Sequence, residues 1–431
     1  MAEPDRPGRG SRAARAPSLP LGAAFSVPAY RRYWASQLVS GVGTWSQAVA
    51  QAWLVLQLTG SPVALGTVTT LQFLPMLVFP LLGGAVADRL PRRRLLIATQ
   101  TGALLQALVL GYLVATGTAQ YWEVGVLALL LGLTNAFGTP AQQALVPEIV
   151  GRDLVGNAVA LNSIQFNVAR LLGGAVGGIT VATWGIAAAL FFNAVSYLPA
   201  IAVLVTIRPA FAAVRAGGAR VRVTREIRDG LRYAVGTPSV RRVLALFGIV
   251  GLLGFNWQVA VPLLAVSLGA GPTGFGALMS AFGAGSLGAG ILLMRSRDAT
   301  EGRLALGGIA LGVVLVLLGL SSWYGVSLVL MVAAGLSGIV ATVTTNTRLQ
   351  LLTPDELRGR VMSLYVMLLG GTTPFGALLL GGIAEVWGIR AGLLLFGILT
   401  IAGLLAVLAL DRGRATAAGP VAGGPGTVPG R

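Results

Sequence analysis

GAVADRLPRRRLL, Gly84 to Leu96, is a short arginine-rich turn between two apolar runs, about 62–87 before it and 95–116 after it. Each run is long enough to cross a bilayer, whose hydrocarbon core takes about 20 residues of helix. The turn holds one carboxylate, Asp88, among Arg89, Arg92, Arg93 and Arg94. Arginines concentrated in a short turn between membrane helices stay on the cytoplasmic side. This stretch therefore sets both the class of the chain and its orientation.

The remaining sequence repeats the pattern. The 431 residues are 55% hydrophobic and only 10% charged, whereas a soluble chain carries roughly 25% charged residues. Twelve apolar runs are bounded by turn signals: 33–58, 62–87, 95–116, 121–145, 154–182, 185–207, 243–268, 273–294, 304–321, 323–349, 361–386 and 389–410. Backbone polar groups in lipid must be satisfied within the segment, so runs of this length predict helices. The expected fold class is an all-α membrane protein of 12 transmembrane helices.

A net charge of +17 raises the question of nucleic acid, and the placement of the charge answers it. The 31 basic residues are all arginines. With the N-terminus inside, all but Arg170 and Arg390 fall in tails or turns on the cytoplasmic side. Both termini are thus expected in the cytoplasm, with no nucleic-acid partner. The chain has no Cys and no His, which excludes disulfides, thiolate chemistry and the commonest metal ligand. The absence of Lys removes the lysine that a phosphate-binding P-loop needs. No nucleophile–base pair can be assembled, so neither an enzyme nor a cofactor site is expected. The apolar part of 21–29 is too short for a cleavable signal and contains Pro28, which leaves the first span as the insertion signal.

The two ends of an internal repeat are visible. Gly173, Gly178 and Trp184-Gly185-Ile186 recur 203 residues later as Gly376, Gly381 and Trp387-Gly388-Ile389. Two parallel six-helix halves, 33–207 and 243–410, are the organisation expected for alternating access about a central site. They are flanked by tails 1–32 and 411–431, read as disordered, and joined by a cytoplasmic linker, 208–242. In the linker Ile227, Leu231 and Ala234 share a stripe, giving either an interfacial amphipathic helix or a solvated one. Ser61-Pro62, Thr237-Pro238 and Thr353-Pro354 read as helix starts with a capping hydroxyl.

Polar stripes mark the candidate cavity. Ser40, Thr44, Gln47 and Gln51 recur at helical spacing on the first span, and Asn135, Thr139, Gln142 and Gln143 on the fourth. Thr342, Thr345 and Asn346 repeat the idea on the tenth. Such stripes either line a wet path or bond neighbouring helices. On the fifth span Asn162, Ser163, Asn167 and Arg170 share one sector, with Arg170 near mid-span. A charge at that depth costs about 2.5–3.5 kcal/mol on insertion scales, so it needs water, a polar partner or a substrate. Asn256 and Gln258, on nearly opposite faces of the seventh span, complete the candidate cavity list. Gly283, Gly285 and Gly288 match a dinucleotide fingerprint but lie in an apolar span with no preceding strand, which makes them packing residues.

The opening turn resembles the signature loop of major facilitator transporters, G-x-L-A-D-R-x-G-R-K-x-x-L, with Val86 in place of Leu and Pro91 in place of the second Gly. AWLVLQLTGSP at 52–62, FNWQVAVPLL at 255–264 and PDELRGRVMS at 354–363 are similar to the bacterial branch containing the enterobactin exporter and macrolide-efflux-like permeases. The resemblance covers about 30–410. It implies the major facilitator fold with two pseudo-symmetric six-helix halves in a bacterial cell membrane. It also implies a monomeric exporter of drug-like, siderophore or natural-product molecules, coupled to protons by antiport. An importer of the same fold and a non-transporting membrane partner are the alternatives. Gly84, Asp88, Arg89, Arg92 and Arg93 become the cytoplasmic gate, with Asp88 facing the N-terminus of the eleventh helix. Gly173, Gly174, Gly177 and Gly178 resemble a G-P-x-x-G-G element, either a pliable seam or close helix packing. Glu123 and Glu385, near the outer surface, are the candidates for proton coupling.

Overall fold

The computed structural model describes residues 20, 22–79, 90–207, 223–294 and 299–417. The first half comprises α1 (Pro28–Thr59), α2 (Pro62–Val78), α3 (Arg92–Ala115), α4 (Tyr121–Val150), α5 (Val155–Trp184) and α6 (Ile186–Thr206). A connecting helix, α7 (Val223–Gly236), leads to the second half. There α8 (Pro238–Ile249) passes through a π-helical turn, Val250–Gly254, into α9 (Trp257–Ser267), and together they make one span. Then come α10 (Gly271–Met294), α11 (Glu301–Leu320), α12 (Tyr324–Leu352), α13 (Asp355–Gly371) and α14 (Thr373–Ala417). Gly388, with φ of 78°, breaks α14 into two membrane-crossing pieces.

Nine described helices are long and apolar enough to cross a membrane. One of these, Glu356–Leu410, is two spans joined across the Gly388 kink. Adding α1, whose polar stripe lowers its hydropathy, and α2, described over 17 residues, gives twelve spans. Ser61 starts α2 with its side chain accepting from Ala64 N. At the other two expected starts the hydroxyl does no such work. Thr237 makes no side-chain cap, and the helix after Thr353 begins at Asp355, leaving the Thr353 hydroxyl buried without a partner.

The first expected boundary moves. Residues 22–32 are folded, not part of a disordered tail: Ala23–Ser26 form a 3-10 turn and α1 begins at Pro28. Ala24 N donates to Asn157 Oδ1 at 2.9 Å, and Tyr30 Oη donates to Ala158 O and Asn162 Oδ1. Buried Ala24 and Tyr30 give this segment the apolar anchor that its Arg-rich composition hides. At the other end the last helix runs through 411–417, also assigned to the tail.

The halves meet along two seams related by the repeat. The second span of each half packs on the fifth span of the other: α2 on α14, and α10 on α5. A Cβ at Gly178 would lie 2.8 Å from Pro272 O, and one at Gly381 would lie 2.7 Å from Pro62 O. Likewise Gly276 abuts Gly174 O, and Gly66 abuts Ala377 O. Each pair is the other's image under the repeat. Small residues allow this backbone approach, the main source of helix adhesion in lipid. Toward the arginine-rich face the seam between α5 and α10 opens. Phe166 and Leu292 are exposed there, and a Cβ at Gly288 or Gly290 would touch nothing.

Candidate functional site

A cavity of about 280 Å³ lies within the first half, from mid-depth toward the arginine-rich face. α1 contributes Gln37, Ser40, Thr44 and Trp45; α3 contributes Thr99 and Gln100; α4 contributes Thr134, Asn135, Thr139 and Gln142. Asn162, Gln165 and Phe166 of α5 and Tyr197 of α6 complete the wall. Of the expected cavity residues, Asn135 and Asn162 line it. Asn162 is fixed by the Tyr30 hydroxyl at 2.8 Å.

Gln47 and Gln51 do not line it, although they share the α1 stripe with Ser40 and Thr44. The difference is depth, not direction. Beyond Trp45 the neighbouring helices close on α1 and take up both glutamines as hydrogen-bond partners. Gln47 Nε2 donates to Gln106 Oε1 at 2.9 Å, while Asn193 Nδ2 donates to Gln47 Oε1 at 2.7 Å. Gln51 Nε2 donates to Gln72 Oε1 at 3.1 Å. These are bonds between α1 and α3, α6 and α2, the structural alternative for such stripes.

Arg170 lies where the α5–α10 seam begins to open. Its Cζ sits 4.5 Å from the ring centroid of Trp45, 4.9 Å from Phe166 and 5.2 Å from Phe282. Trp45 and Phe166 belong to the first half and Phe282 to the second. Nε is buried without a partner, and no ion pair or hydrogen bond reaches the guanidinium among the described residues. Three such contacts at about 0.5–2 kcal/mol each are of the size of the insertion penalty of about 2.5–3.5 kcal/mol. Aromatic rings alone can therefore hold this charge in the membrane. Phe166 was visible as the i−4 neighbour of Arg170; Trp45 carried no sequence signal for this role.

The second-half candidates are differently placed. Asn256 is buried at the break before α9, with Nδ2 donating to Leu252 O at 2.7 Å and Oδ1 unpartnered. It packs against Gly376 and, like Gln258, does not line the first-half cavity. Asn346 accepts from Gln350 Nε2 at 2.7 Å. Thr342 and Thr345 bond the carbonyls one turn back on their own helix, at 2.8 Å each. Thr342 and Thr345 are thus satisfied within their own helix, while Asn346 also bonds Tyr365 of α13.

Gly84, Asp88 and Arg89 of the gate lie outside the described residues. Arg92 pairs with Glu148 at 2.6 Å and also donates to Ala144 O, tying α3 to the end of α4. Arg93 donates to Val205 O at 2.7 Å. Glu148 is the partner that sequence inspection missed, because the pairing spans 56 residues.

Gly173 and Gly177 face α1, where a Cβ would lie 2.5 Å from Trp45 Cβ and 2.8 Å from Ser46 Cα. Gly174 and Gly178 face α10 of the other half. One glycine element therefore serves two interfaces by close packing.

The outer acids diverge. Glu123 accepts from Gln120 N at 2.8 Å as half of a capping box, a job that explains it as a helix start. Glu385 reaches across the halves: its Oε2 accepts from Ser61 Oγ at 2.7 Å and Val63 N at 3.1 Å.

The family described as "Transmembrane secretion effector" matches residues 21–419 of this chain. The multidrug efflux pump Tap of Mycolicibacterium fortuitum is 29% identical over 86% of this chain and 93% of its own length. The staphyloferrin A transporter of Staphylococcus aureus is 24% identical over 86% and 93%. The enterobactin exporter EntS of Escherichia coli is 27% identical over 90% and 94%. Among solved structures, a bacterial homologue of the lysosomal transporter Spinster, in an inward-facing unoccupied conformation, superposes with a TM-score of 0.73 at 10% identity. It covers 91% of this chain and 98% of its own. The nucleoside transporter NupG gives 0.72 at 12%, covering 89% and 99%.

Proposed function

The chain belongs to the transmembrane secretion effector family of the major facilitator superfamily, and we propose that it exports drug-like, siderophore or natural-product molecules from the bacterial cell by alternating access. It is a membrane transporter of small molecules and not an enzyme. Export is the finer statement, supported by the efflux and exporter names of its relatives.

The observation that carries the proposal is the asymmetry of closure. Glycine seams and the Glu385–Ser61 contact join the halves at one end, where a mainly apolar pocket of about 340 Å³ remains between Trp53, Gln57 and Leu263, while the polar cavity and a parted seam lie toward the other. The positive-inside rule assigns the open end to the cytoplasm, with both termini there. In this assignment substrate enters the cavity from the cytoplasm, against Asn135 and Asn162, with Arg170 behind the rings of Trp45 and Phe166. The halves 33–207 and 243–410 then rock about the seams, and the far side opens. Gln47, Gln51, Asn256, Gln258 and Asn346 serve this motion as polar packing within each half rather than as first contacts for substrate.

Proton antiport is the coupling that the resemblance implies. Glu385 is the acid we assign to it, because protonation would discharge the carboxylate and weaken the charge-assisted bonds that join the two halves. A panel of compounds tested for susceptibility in an efflux-deficient host, with and without a protonophore, tests both parts. Resistance that appears with this protein and vanishes with the protonophore supports proton-driven export. Unchanged susceptibility throughout, together with accumulation rather than export in vesicles, contradicts it.

A further inference from the structure

No charged residue lines the cavity among the described residues, and the ionised group packed behind its Trp45 and Phe166 rings is a cation with unspent hydrogen bonds. Among the described residues, the acidic groups outside the linker helix lie near helix ends or beside the Gly388 kink, so no described span carries a carboxylate at its middle. Among the described residues, Arg170 is the one ionised group near the middle of a span. The three rings take up the carbon centre of its guanidinium through contacts of 4.5–5.2 Å. Cation–π contact uses the faces of that planar group, whereas its N–H donors lie in the plane. Those in-plane donors meet no acceptor among the described residues, and Nε is buried without one. A carboxylate or similar planar oxyanion is the complement of such a fork. Arg170 is not itself part of the cavity wall, but Trp45 and Phe166, against which its guanidinium lies, are, so a flat apolar group attached to an anion that reaches it would meet aromatic faces.

We infer that the transported molecule is an organic anion, anchored edge-on by Arg170 beside the rings of Trp45 and Phe166. The inference rests on the export proposal for direction but not for binding. It has an energetic consequence. Moving one negative charge out of a cell whose interior is negative is favoured by the membrane potential, worth about a 50-fold gradient per charge per 100 mV. Exchange for an inbound proton would move charge in the same electrical direction, so transport is electrogenic. The ring contact from Phe282 adds a further feature: anion binding at Arg170 occurs at the junction of the two halves, where it can bias their equilibrium.

The test compares two probes of the same ring and opposite charge, 1-naphthoate and 1-naphthylmethylammonium, binding to the purified full chain in lipid nanodiscs. The expected result is saturable naphthoate binding, at least about tenfold tighter than the ammonium. Arg170→Gln removes that preference, while Arg170→Lys, which keeps the charge, retains part of it. Thermal unfolding of both variants separates loss of binding from loss of fold, and Arg170→Lys carries the test if Arg170→Gln does not fold. Absence of naphthoate binding, equal binding of the two probes, or a preference indifferent to Arg170 overturns the inference. Continued efflux of neutral or cationic compounds by the Arg170 variants would also overturn it while leaving export intact. Absence of efflux for any compound, with naphthoate binding preserved, would instead defeat the export proposal.

Discussion

Glu385 Oε2 accepts a hydrogen bond from Ser61 Oγ at 2.7 Å, so a carboxylate of the second half caps the first turn of a helix in the first. Ser61 also caps that helix itself by accepting from Ala64 N. Under the repeat the partners of Glu385 and Ser61 are Ala182 and Gly271, which cannot form the same bond. The outer closure is thus built twice from glycine and locked once by charge.

Glu385→Gln therefore loosens the outer face without altering the cavity. The protein has no native cysteine, so a single cysteine at Thr70, whose hydroxyl donates to Pro374 O across the same seam, is a clean reporter. Its modification by an impermeant maleimide from outside should be faster in the Glu385→Gln background. Equal rates would show that the lock contributes nothing.

Gly178 and Gly381 predict matched behaviour. Alanine at either position places a Cβ against the carbonyl of Pro272 or Pro62, an overpacking cost of about 1–3 kcal/mol against the closed outer seam. Each substitution should favour outward opening and slow transport. The two variants should resemble each other in the Thr70 accessibility assay, because the seams are images under the repeat.

The Arg92–Glu148 pair is mostly buried, with 15% and 10% of the side chains exposed. Glu148→Ala strands the guanidinium and should cost up to about 3 kcal/mol, read as a lowered unfolding temperature in detergent. Replacing both partners, Arg92→Met with Glu148→Leu, should recover much of that loss. A double variant no better than the single one would remove the pair from the account of stability.

Gln47 and Asn135 separate packing from recognition. Gln47→Ala leaves Gln106 Oε1 without its donor and removes the close acceptor of Asn193 Nδ2, and should destabilise by about 1–3 kcal/mol, lowering efflux of all substrates alike. Asn135→Ala removes a cavity wall group and should change the ranking of substrates with little effect on unfolding. The opposite pattern would exchange their roles.

Much of the fold was legible because lipid imposes one rule on every span. Apolar length, turn residues and arginine placement located twelve helices, with α4 starting at Tyr121 and α9 ending within a residue of its expected limit. The recurrence of Gly178 as Gly381 marked the repeat, and the structure places both glycines in the seams between the halves. The site was less legible, since periodicity gives direction around a helix but not depth. Ser40, Thr44, Gln47 and Gln51 share a face, yet the cavity ends between them. The aromatic box around Arg170 draws Trp45 and Phe282 from distant segments, and Glu148 finds Arg92 across 56 residues. No local pattern encodes such meetings. The folded segment at 22–32 was hidden for another reason: arginines flank a few apolar residues whose burial depends on Asn157 and Ala158 far along the chain.

Alternating access is tested most directly by a single cysteine at Asn135 in this cysteine-free chain, probed with an impermeant maleimide in right-side-out and everted membrane vesicles. The expected result is rapid modification in everted vesicles, slow modification in right-side-out ones, and a rise in the latter on adding Glu385→Gln. Modification only from the outer side, or none from either side in unfolding-competent, well-inserted protein, would contradict a cytoplasm-open cavity that changes sides.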